Sequence, residues 1–329
     1  MKKVCIIYIL LMVFANPASS QMLTNTGHSF ESNYDTIVLY VGGSGPGNYT
    51  KIQDAIDNAT DGDTVFVYDY SSPYYENITV DKSIHLVGEK TETTIINGSG
   101  LNDVITVTAD TVTISNLSIV NSEHAKAGIL MTQEASYGEI KNCICKNNYW
   151  GIDIQYTSHV TVKNCQIIDN VEGTIIRYSS FCEVSNCSFS NQQSGIWIYY
   201  ASQNRILNNN ISHTNPGPMD IGIYCYSAQN NLIYGCSLVN NGRGIDCYNH
   251  SLGNTIEQCI VNDNIGSGIC IWNGGSNTLI LNSEISHNGY GMDYDQYGVF
   301  FDESSYMHIE GCTISENKKT GVESVREIK

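Results

Sequence analysis

Residues 137–200 read YGEIKNCICKNNYWGIDIQY (137–156), HVTVKNCQIIDNVEGTIIRY (159–178) and FCEVSNCSFSNQQSGIWIYY (181–200). The three segments share one pattern of about 22 residues, with a cysteine in the first half and a glycine in the second. A fixed period of this size is the sequence signature of a solenoid, in which each repeat is one supersecondary unit. This stretch therefore decides the architecture before any catalytic motif is considered.

The same two positions recur outward from this stretch. The cysteine position holds Leu117, Cys143, Cys165, Cys187, Asn209, Cys236, Cys259, Ser283 and Cys312. The second position, which we call the ladder glycine, holds Gly128, Gly151, Gly173, Gly195, Gly222, Gly244, Gly268, Gly298 and Gly321. The steps from Cys143 are 22, 22, 22, 27, 23, 24 and 29 residues, so the longer steps indicate insertions. Residues 122–127, 213–221 and 287–297 are inserted at one corner, just before the ladder glycine.

Apolar and polar residues alternate in three short runs per repeat. In the second segment the apolar members are Val160 and Val162, Cys165 and Ile167, then Thr174 and Ile176. A period of two is typical of strands with one buried face. With corners rich in Asn and Gly, which tolerate left-handed backbone conformations, the pattern predicts an all-β fold, a single-stranded parallel β-helix with three strands per rung.

The segment before the repeats predicts a cap. Ile52, Ala55, Ile56 and Ala59 fall on one face of a short helix. Such a helix, laid over the first rung, would cover strand edges that are otherwise unpaired.

The repeats resemble right-handed parallel β-helix proteins of the NosD-like group, also called the carbohydrate-binding and sugar-hydrolysis repeat class. The resemblance extends from Ile37 to the C-terminus, and residues 37–96 are similar to the N-terminal cap of secreted pectin-acting and epimerase-type β-helices. It implies a right-handed coil and an association with carbohydrate. The Asn-Thr-Asp and Gly-His-Gly motifs of polygalacturonases and the Asp-Pro-His-Asp motif of alginate epimerases are missing, so the resemblance leaves the reaction open.

We predict four segments along the chain. Residues 1–20 read as a signal peptide, because Lys2 and Lys3 precede an apolar run and Ala18-Ser19-Ser20 offers a cleavage site. Residues 21–36 are a linker, 37–110 the cap and first rungs, and 111–329 the β-helix repeats. The protein is then secreted or on the cell surface, without membrane insertion after signal cleavage.

The charge balance limits the partners. There are 33 acidic residues against 16 Lys and Arg, a formal net charge of −17. Nucleic acids and anionic membranes are bound by clustered Lys and Arg, so both are excluded as expected partners.

Alternation places ten cysteines of the mature chain inward and only Cys270 outward. A buried thiol behaves as a small apolar group, which favours free thiols that stack from rung to rung. Any disulfides that form would join Cys225 to Cys247 or Cys236 to Cys259.

Metal binding is not predicted from these cysteines. No histidine stands at ligand spacing to a cysteine pair. Residues 293–298, DYDQYG, begin like a calcium loop but place Tyr297 where a third oxygen ligand belongs. We therefore expect no metal cofactor and leave a loose calcium site open.

The third strand of each rung carries the candidate ligand site. Side chains two and four positions after each ladder glycine should point outward, and those predicted to bind ligand are Asp153, Arg177, Trp197, Tyr199, Tyr224, Tyr226, Tyr248, Trp272 and Phe300. Exposed aromatic rings on successive rungs suit the stacking of sugars, and the three insertions would wall the strip into a groove. Asp246 is the predicted catalytic residue, with Asp302 and Asp295 as partners. Because Asp246 and Asp302 would be about 12 Å apart, one of the loop residues Asp220, Asp293 or Asp295 would have to move in.

Two functions from different classes follow. The first is a protein that binds, and as a hydrolase, lyase or epimerase would modify, a polysaccharide, with a neutral glycan preferred because Arg177 is the one basic residue of the strip. The alternative is a structural or adhesive cell-envelope protein without catalysis, which could self-associate end to end.

Overall fold

The computed structural model describes residues 36–212, 217, 220–291, 296–302 and 306–325. The predicted signal peptide and residues 21–35 of the linker lie outside these ranges, as do Asp293 and Asp295.

In the part of the chain that the structure describes, thirty-four short strands form three parallel sheets. Sheet 1 contains Val38–Val41, Thr64–Val67, His85–Gly88, Thr113–Ser115, Glu139–Lys141, Thr161–Lys163, Glu183–Ser185, Arg205–Leu207, Leu232–Tyr234, Thr255–Glu257, Thr278–Leu281 and Met307–Glu310. Sheet 2 contains Tyr74–Tyr75, Ile95–Asn97, Ser118–Val120, Ile144–Lys146, Gln166–Ile168, Ser188–Ser190, Asn210–Ser212, Ser237–Val239, Ile260–Asn262, Glu284–Ser286 and Thr313–Ser315. Sheet 3 contains Ile78–Val80, Ile105–Val107, Ala127–Met131, Trp150–Gln155, Glu172–Arg177, Ser194–Tyr199, Ile221–Tyr226, Arg243–Tyr248, Ile269–Ile271, Val299–Asp302 and Val322–Val325.

Each strand pairs with its equivalent in the next repeat, which confirms the predicted right-handed parallel β-helix. The register is constant through the middle of the stack, where Ile154 pairs with Ile176 and Ile176 with Ile198. Because every rung contributes the same inward positions, the aliphatic side chains pack into one continuous core.

The cysteine ladder is part of this core. Cys143, Cys165, Cys187, Cys236 and Cys259 are buried free thiols, whereas Cys312 near the end of the stack is half-buried. Burial raises the pKa of Cys182, a further buried thiol, to about 11, which keeps this side chain neutral at physiological pH. The expected packing role of the thiols is therefore confirmed.

Buried asparagines form further ladders at the corners, a feature that the sequence pattern did not reveal. The Nδ2 atom of Asn204 donates to Oδ1 of Asn231 at 3.0 Å, and Asn231 donates to Asn254 at 3.0 Å. Asn241, Asn264, Asn288 and Asn317 repeat the arrangement at another corner. Since buried amides must be hydrogen-bonded, identical residues on successive rungs satisfy one another.

The asparagines and the ladder glycines have different backbone roles. Asn142, Asn164 and Asn186 adopt the left-handed conformation with φ of 52°, 54° and 52°, as expected for corners. The ladder glycines do not. A Cβ on Gly151 would lie 2.7 Å from the carbonyl oxygen of Gly173, so glycine is required here by the close approach of the next rung.

The predicted capping helix spans Ile52–Asn58, and a 3-10 turn covers Asp69–Ser71. Ile52, Ala55 and Ile56 are buried against the first rungs. The Glu76 carboxylate accepts hydrogen bonds from the backbone N–H groups of Ile52 and Gln53 at 2.9 and 3.1 Å, which fixes the start of the helix. Within the described ranges, no helix has the length and apolar character needed to cross a membrane.

Candidate functional site

The outer face of sheet 3 carries the predicted strip. Side chains two positions after successive ladder glycines form an outer column of Asp153, Ile175, Trp197, Tyr224, Asp246, Cys270 and Phe300, all in register. The expectation that this whole column is exposed to solvent is wrong. Asp153 is 1 % exposed, Asp246 3 % and Cys270 0 %, because larger neighbours on the same face cover them.

Arg177 is the neighbour that covers Asp153. Its Nε donates to Oδ1 of Asp153 at 2.9 Å, and its Nη2 contacts Oδ2. The guanidinium also lies over the Trp150 ring, 4.5 Å from the ring centre. Burial raises the pKa of Asp153, while Arg177 opposes that rise. We call Trp150, Asp153 and Arg177 the Trp150 cluster. Its ion pair between Arg177 and Asp153 leaves no open binding surface at this position.

The predicted aromatic strip is not a flat track, because its rings pack on one another. Tyr199 and Tyr226 stack with centres 5.1 Å apart and planes inclined by 24°. A second set, at the adjacent corner, stacks Tyr156 on Tyr178 at 4.9 Å and Tyr178 on Tyr200 at 5.5 Å. Ring faces used in such stacks are not available to a ligand.

A pocket of about 440 Å³ opens in the middle of this face. Five predicted residues line it: Trp197, Tyr224, Asp246, Tyr248 and Trp272. The other predicted site residues that the structure describes do not line the pocket: Asp153, Arg177, Tyr199, Tyr226, Phe300 and Asp302. Six further residues line it, and all of them except Asp220 were missed by sequence reasoning: Glu172, Gln193, Ser194, Asp220, Ile221 and Arg243. The volume is in the usual range for a small-ligand site, about 300–1,000 Å³.

Most of the missed residues directly precede a ladder glycine. Trp150, Glu172, Ser194, Ile221 and Arg243 each precede one, and they pair in register as an edge column along sheet 3. Strict alternation would place Glu172 on the same side as the core residues Thr174 and Ile176. Glu172 instead lines the outer pocket, so the alternation is interrupted at Gly173. Scanning the position before each ladder glycine would have found the edge column.

The carboxyl group of Glu172 has a raised pKa. Burial raises its pKa from 4.5 to about 7, and the charge of Asp220 adds to the rise, while hydrogen bonds with Ser194 oppose it. Its Oε2 atom is buried and has no hydrogen-bond partner in the described part of the chain. A buried, unpartnered oxygen disfavours the ionised form, so Glu172 keeps its proton below about pH 7.

Asp246 lies at the other end of the pocket. Its Oδ1 accepts a hydrogen bond from Nε1 of Trp272 at 2.6 Å, and its Oδ2 accepts one from Nη1 of Arg243 at 3.0 Å. The guanidinium of Arg243 lies over the Trp272 ring at 4.9 Å. We call these three residues the Trp272 cluster. Through these contacts Asp246 orients both an aromatic wall and the cation beside it.

Two aromatic side chains form the middle of the pocket. Trp197 and Tyr224 meet edge to face with ring centres 5.5 Å apart. Burial raises the pKa of the Tyr224 hydroxyl, with the charge of Asp246 as a second cause, so this hydroxyl stays protonated. Nε1 of Trp197 is buried and finds no acceptor among the described residues.

Asp302, one of the two predicted partners of Asp246, does not line the pocket. It lies two rungs from Asp246 and two residues farther along its strand, and its Oδ2 accepts a hydrogen bond from the backbone N–H of Asn273 at 2.5 Å. Asp295 lies outside the described residues, together with Asp293 of the calcium-like loop. Within the described ranges, no group of three or more His, Cys, Asp or Glu side chains is arranged to hold a metal ion. The calcium site stays a prediction.

A family model for the right-handed β-helix region matches residues 99–257 and 249–327. The chain belongs to this family. Curated protein sequences gave no match.

Solved structures share the fold at low sequence identity. The A-module of the mannuronan C-5 epimerase AlgE4 of Azotobacter vinelandii aligns over 83 % of this chain and 86 % of the module, with a TM-score of 0.66 and 15 % identity. The AlgE6 A-module of the same organism aligns over 83 % and 94 %, with a TM-score of 0.65 and 16 % identity. XylC in complex with xylose aligns over 76 % and 69 %, with a TM-score of 0.59 and 10 % identity.

Proposed function

We propose that this β-helix binds a neutral polysaccharide, with the chain lying along sheet 3 and one or more sugar units held in the pocket. The observation that carries the proposal is the pocket itself, whose walls are Trp197, Tyr224, Tyr248 and Trp272. Aromatic rings with polar edges suit sugars, since a sugar ring has an apolar face and a rim of hydroxyl groups. The indole N–H of Trp197, which finds no acceptor among the described residues, would donate to a sugar hydroxyl.

The charge of the pocket supports a neutral rather than an acidic polymer. Glu172, Asp220 and Asp246 face a single guanidinium in the described lining, that of Arg243, and this group is already bonded to Asp246. A polyuronate would bring further negative charge to a site whose one cation is engaged. A sugar hydroxyl, by contrast, can donate to any of the three carboxyl groups.

The names of the structural neighbours support a carbohydrate ligand. Two are called mannuronan C-5 epimerases and a third was solved with xylose. A secreted or cell-surface location, which the sequence predicts, would give such a protein access to extracellular polymers.

Affinity electrophoresis through gels containing glucan, mannan, xylan or galactan, with alginate and pectate as acidic comparators, tests this function. We expect retardation by at least one neutral polymer and a loss of at least about tenfold in affinity for Trp197→Ala, because tenfold corresponds to about 1.4 kcal/mol of lost stacking and hydrogen bonding. Tyr137→Ala is the matched control, since Tyr137 is an exposed aromatic outside the pocket lining. Equal retardation of both variants, or retardation by the acidic polymers alone, would contradict the proposal. No retardation at all would favour the structural or adhesive alternative.

A further inference from the structure

The carboxyl groups at one end of the pocket carry a second inference, which rests on the proposed glycan site. We propose that the pocket hydrolyses a glycosidic bond of the bound polymer, with Glu172 as the proton donor and Asp220 as the base that activates water. Glu172 does not belong to the acidic set predicted from the sequence, and Asp220 was considered there only as a loop residue that could approach Asp246.

The rungs set the separation of the two carboxyl groups. Glu172 pairs in register with Ser194, and Ser194 with Ile221, the residue after Asp220. Rungs are about 4.8 Å apart, so the backbones of Glu172 and Asp220 are about 10 Å apart. Both side chains line the same pocket. Inverting glycosidases hold their carboxyl groups about 6.5–9.5 Å apart, which leaves room for a water molecule beside the sugar.

The intervening rung leaves that room open. Ser194 lies between the two acidic residues and lines the same pocket. Its small side chain fills little of the gap, whereas a large residue at this register position would separate the carboxyl groups. The aromatic ring of Trp197, three residues farther along the same strand, continues the wall beside the gap.

The environment of Glu172 suits the role of proton donor. Glu172, with a pKa of about 7, is available as an acid near neutral pH, and the negative charge of Asp220 contributes to that shift. A carboxyl group with a pKa in this range can serve as a general acid. The Asp220 carboxylate is oriented by its own turn, since its Oδ2 accepts a hydrogen bond from the backbone N–H of Gly217 at 2.5 Å.

The reaction balances with water as the only co-reactant. Glu172 transfers its proton to the glycosidic oxygen as the bond from that oxygen to the anomeric carbon breaks. Asp220 removes a proton from a water molecule whose oxygen forms the new bond to the same carbon from the opposite face. The products are two shorter chains, one with an inverted anomeric hydroxyl, and the ionised Glu172 and protonated Asp220 return to their starting states by exchange with solvent.

Asp246 is assigned a different role in this scheme. Its two oxygens accept hydrogen bonds from Trp272 and Arg243, so it serves as a positioning residue for the far wall of the pocket. This assignment separates the proposal from the sequence-based expectation that Asp246 is catalytic.

The test measures release of reducing ends from glucan, mannan, xylan and galactan, in parallel with affinity electrophoresis on the same polymers. We expect Glu172→Gln and Asp220→Asn each to lower the rate by at least about 100-fold, the usual range for loss of a general acid or base, with affinity changed less than threefold. Glu92→Gln, at an exposed site away from the pocket, is the control for handling and stability.

The outcomes separate the two proposals. A polymer that is bound in the pocket but never cleaved would overturn hydrolysis and leave the binding function standing, whereas binding of no polymer would overturn both. Full activity of Glu172→Gln, or loss of activity in Asp246→Asn with Asp220→Asn unaffected, would also overturn the assigned pair. Proton NMR of the first product should show the inverted anomer, and a retained anomer would contradict water activation by Asp220.

Discussion

Two clusters on sheet 3 contain the same three residue types in a different arrangement. In the Trp150 cluster, Trp150 precedes a ladder glycine, Asp153 follows that glycine by two residues, and Arg177 lies four residues after the next ladder glycine. In the Trp272 cluster these three positions hold Arg243, Asp246 and Trp272. The aspartate keeps its place and the arginine and tryptophan exchange places.

The exchange changes how the aspartate is bonded. Asp153 is held through both oxygens by one guanidinium. Asp246 is shared between the guanidinium of Arg243 and the indole N–H of Trp272. In both clusters the guanidinium also lies over the tryptophan ring. We call such a three-residue cluster a brace. The repeated rungs allow this brace in two orientations.

Only the Trp272 cluster contributes side chains to the pocket. Arg243 and Trp272 both line it, whereas the members of the Trp150 cluster do not. Glu172 lies in the edge column next to Trp150, and the column continues through Ser194 and Ile221 to Arg243. The pocket thus begins next to the Trp150 cluster and ends at the Trp272 cluster. This comparison leads to four predictions.

The largest effect is expected for Arg177→Ala. Removal of the guanidinium leaves Asp153, which is 1 % exposed, without the partner that compensates its charge. Breaking a buried ion pair from one side typically costs about 3–5 kcal/mol, so the urea midpoint should fall markedly. Arg205→Ala is the control, because the Arg205–Glu183 pair is largely exposed and worth less than about 1 kcal/mol. Similar midpoints for the two variants would refute the bracing role of the Trp150 cluster.

The next effect concerns the pH dependence of Glu172, which lies next to the Trp150 cluster. Its pKa is about 7 in the folded protein and near 4.5 in an unfolded chain, so between these values the folded protein retains a proton that the unfolded chain has lost. Raising the pH from 4.5 to 7 should therefore destabilise the wild type relative to Glu172→Gln, by up to about 3 kcal/mol, with a constant difference above pH 7. Urea titrations of both proteins from pH 4.5 to 8 measure the difference. Parallel stability curves would mean that Glu172 is ionised at neutral pH.

The repeat pattern was enough to predict the fold, because the cysteine position and the ladder glycine each report a geometric requirement of every rung. Gly151 is needed where the carbonyl of Gly173 approaches, and Cys165 fits a small buried space. Such requirements recur at a fixed period and can be read from a single chain. The outer column followed from the same register.

The pocket was only partly predictable. Trp197, Tyr224 and Asp246 were placed on the right face by alternation, but alternation fails next to the ladder glycine, where Glu172 and Arg243 lie. Asp220 belongs to an insertion that interrupts the period. Burial on the outer face was also missed, since a strand pattern gives the direction of Asp153 and cannot give the length of the side chain that covers it.

A double exchange, Arg243→Trp with Trp272→Arg, tests the comparison directly, because it rebuilds the Trp272 cluster in the orientation of the Trp150 cluster. The fold should survive with a small change in melting temperature, since the brace already exists in this form four rungs earlier in the chain. Glycan affinity should fall at least about tenfold, because the indole wall of the pocket is moved. Each single exchange should be less stable than the double variant, as both leave two like residues in one cluster. Retained affinity in the double variant would show that the orientation of the brace is irrelevant to the pocket.

The smallest effect is expected for Asp302→Asn, one rung beyond Trp272 in the column that also contains Arg177. Oδ2 of the Asp302 carboxylate accepts a hydrogen bond from the backbone N–H of Asn273. The side-chain carbonyl oxygen of an asparagine can accept the same hydrogen bond. Stability should change by less than about 0.5 kcal/mol, as for most substitutions that keep local contacts. Glycan affinity and reducing-end release should equal those of the wild type, because Asp302 does not line the pocket. A loss of activity without a loss of affinity would extend the site by one rung and make Asp302 the partner that the sequence predicts for Asp246.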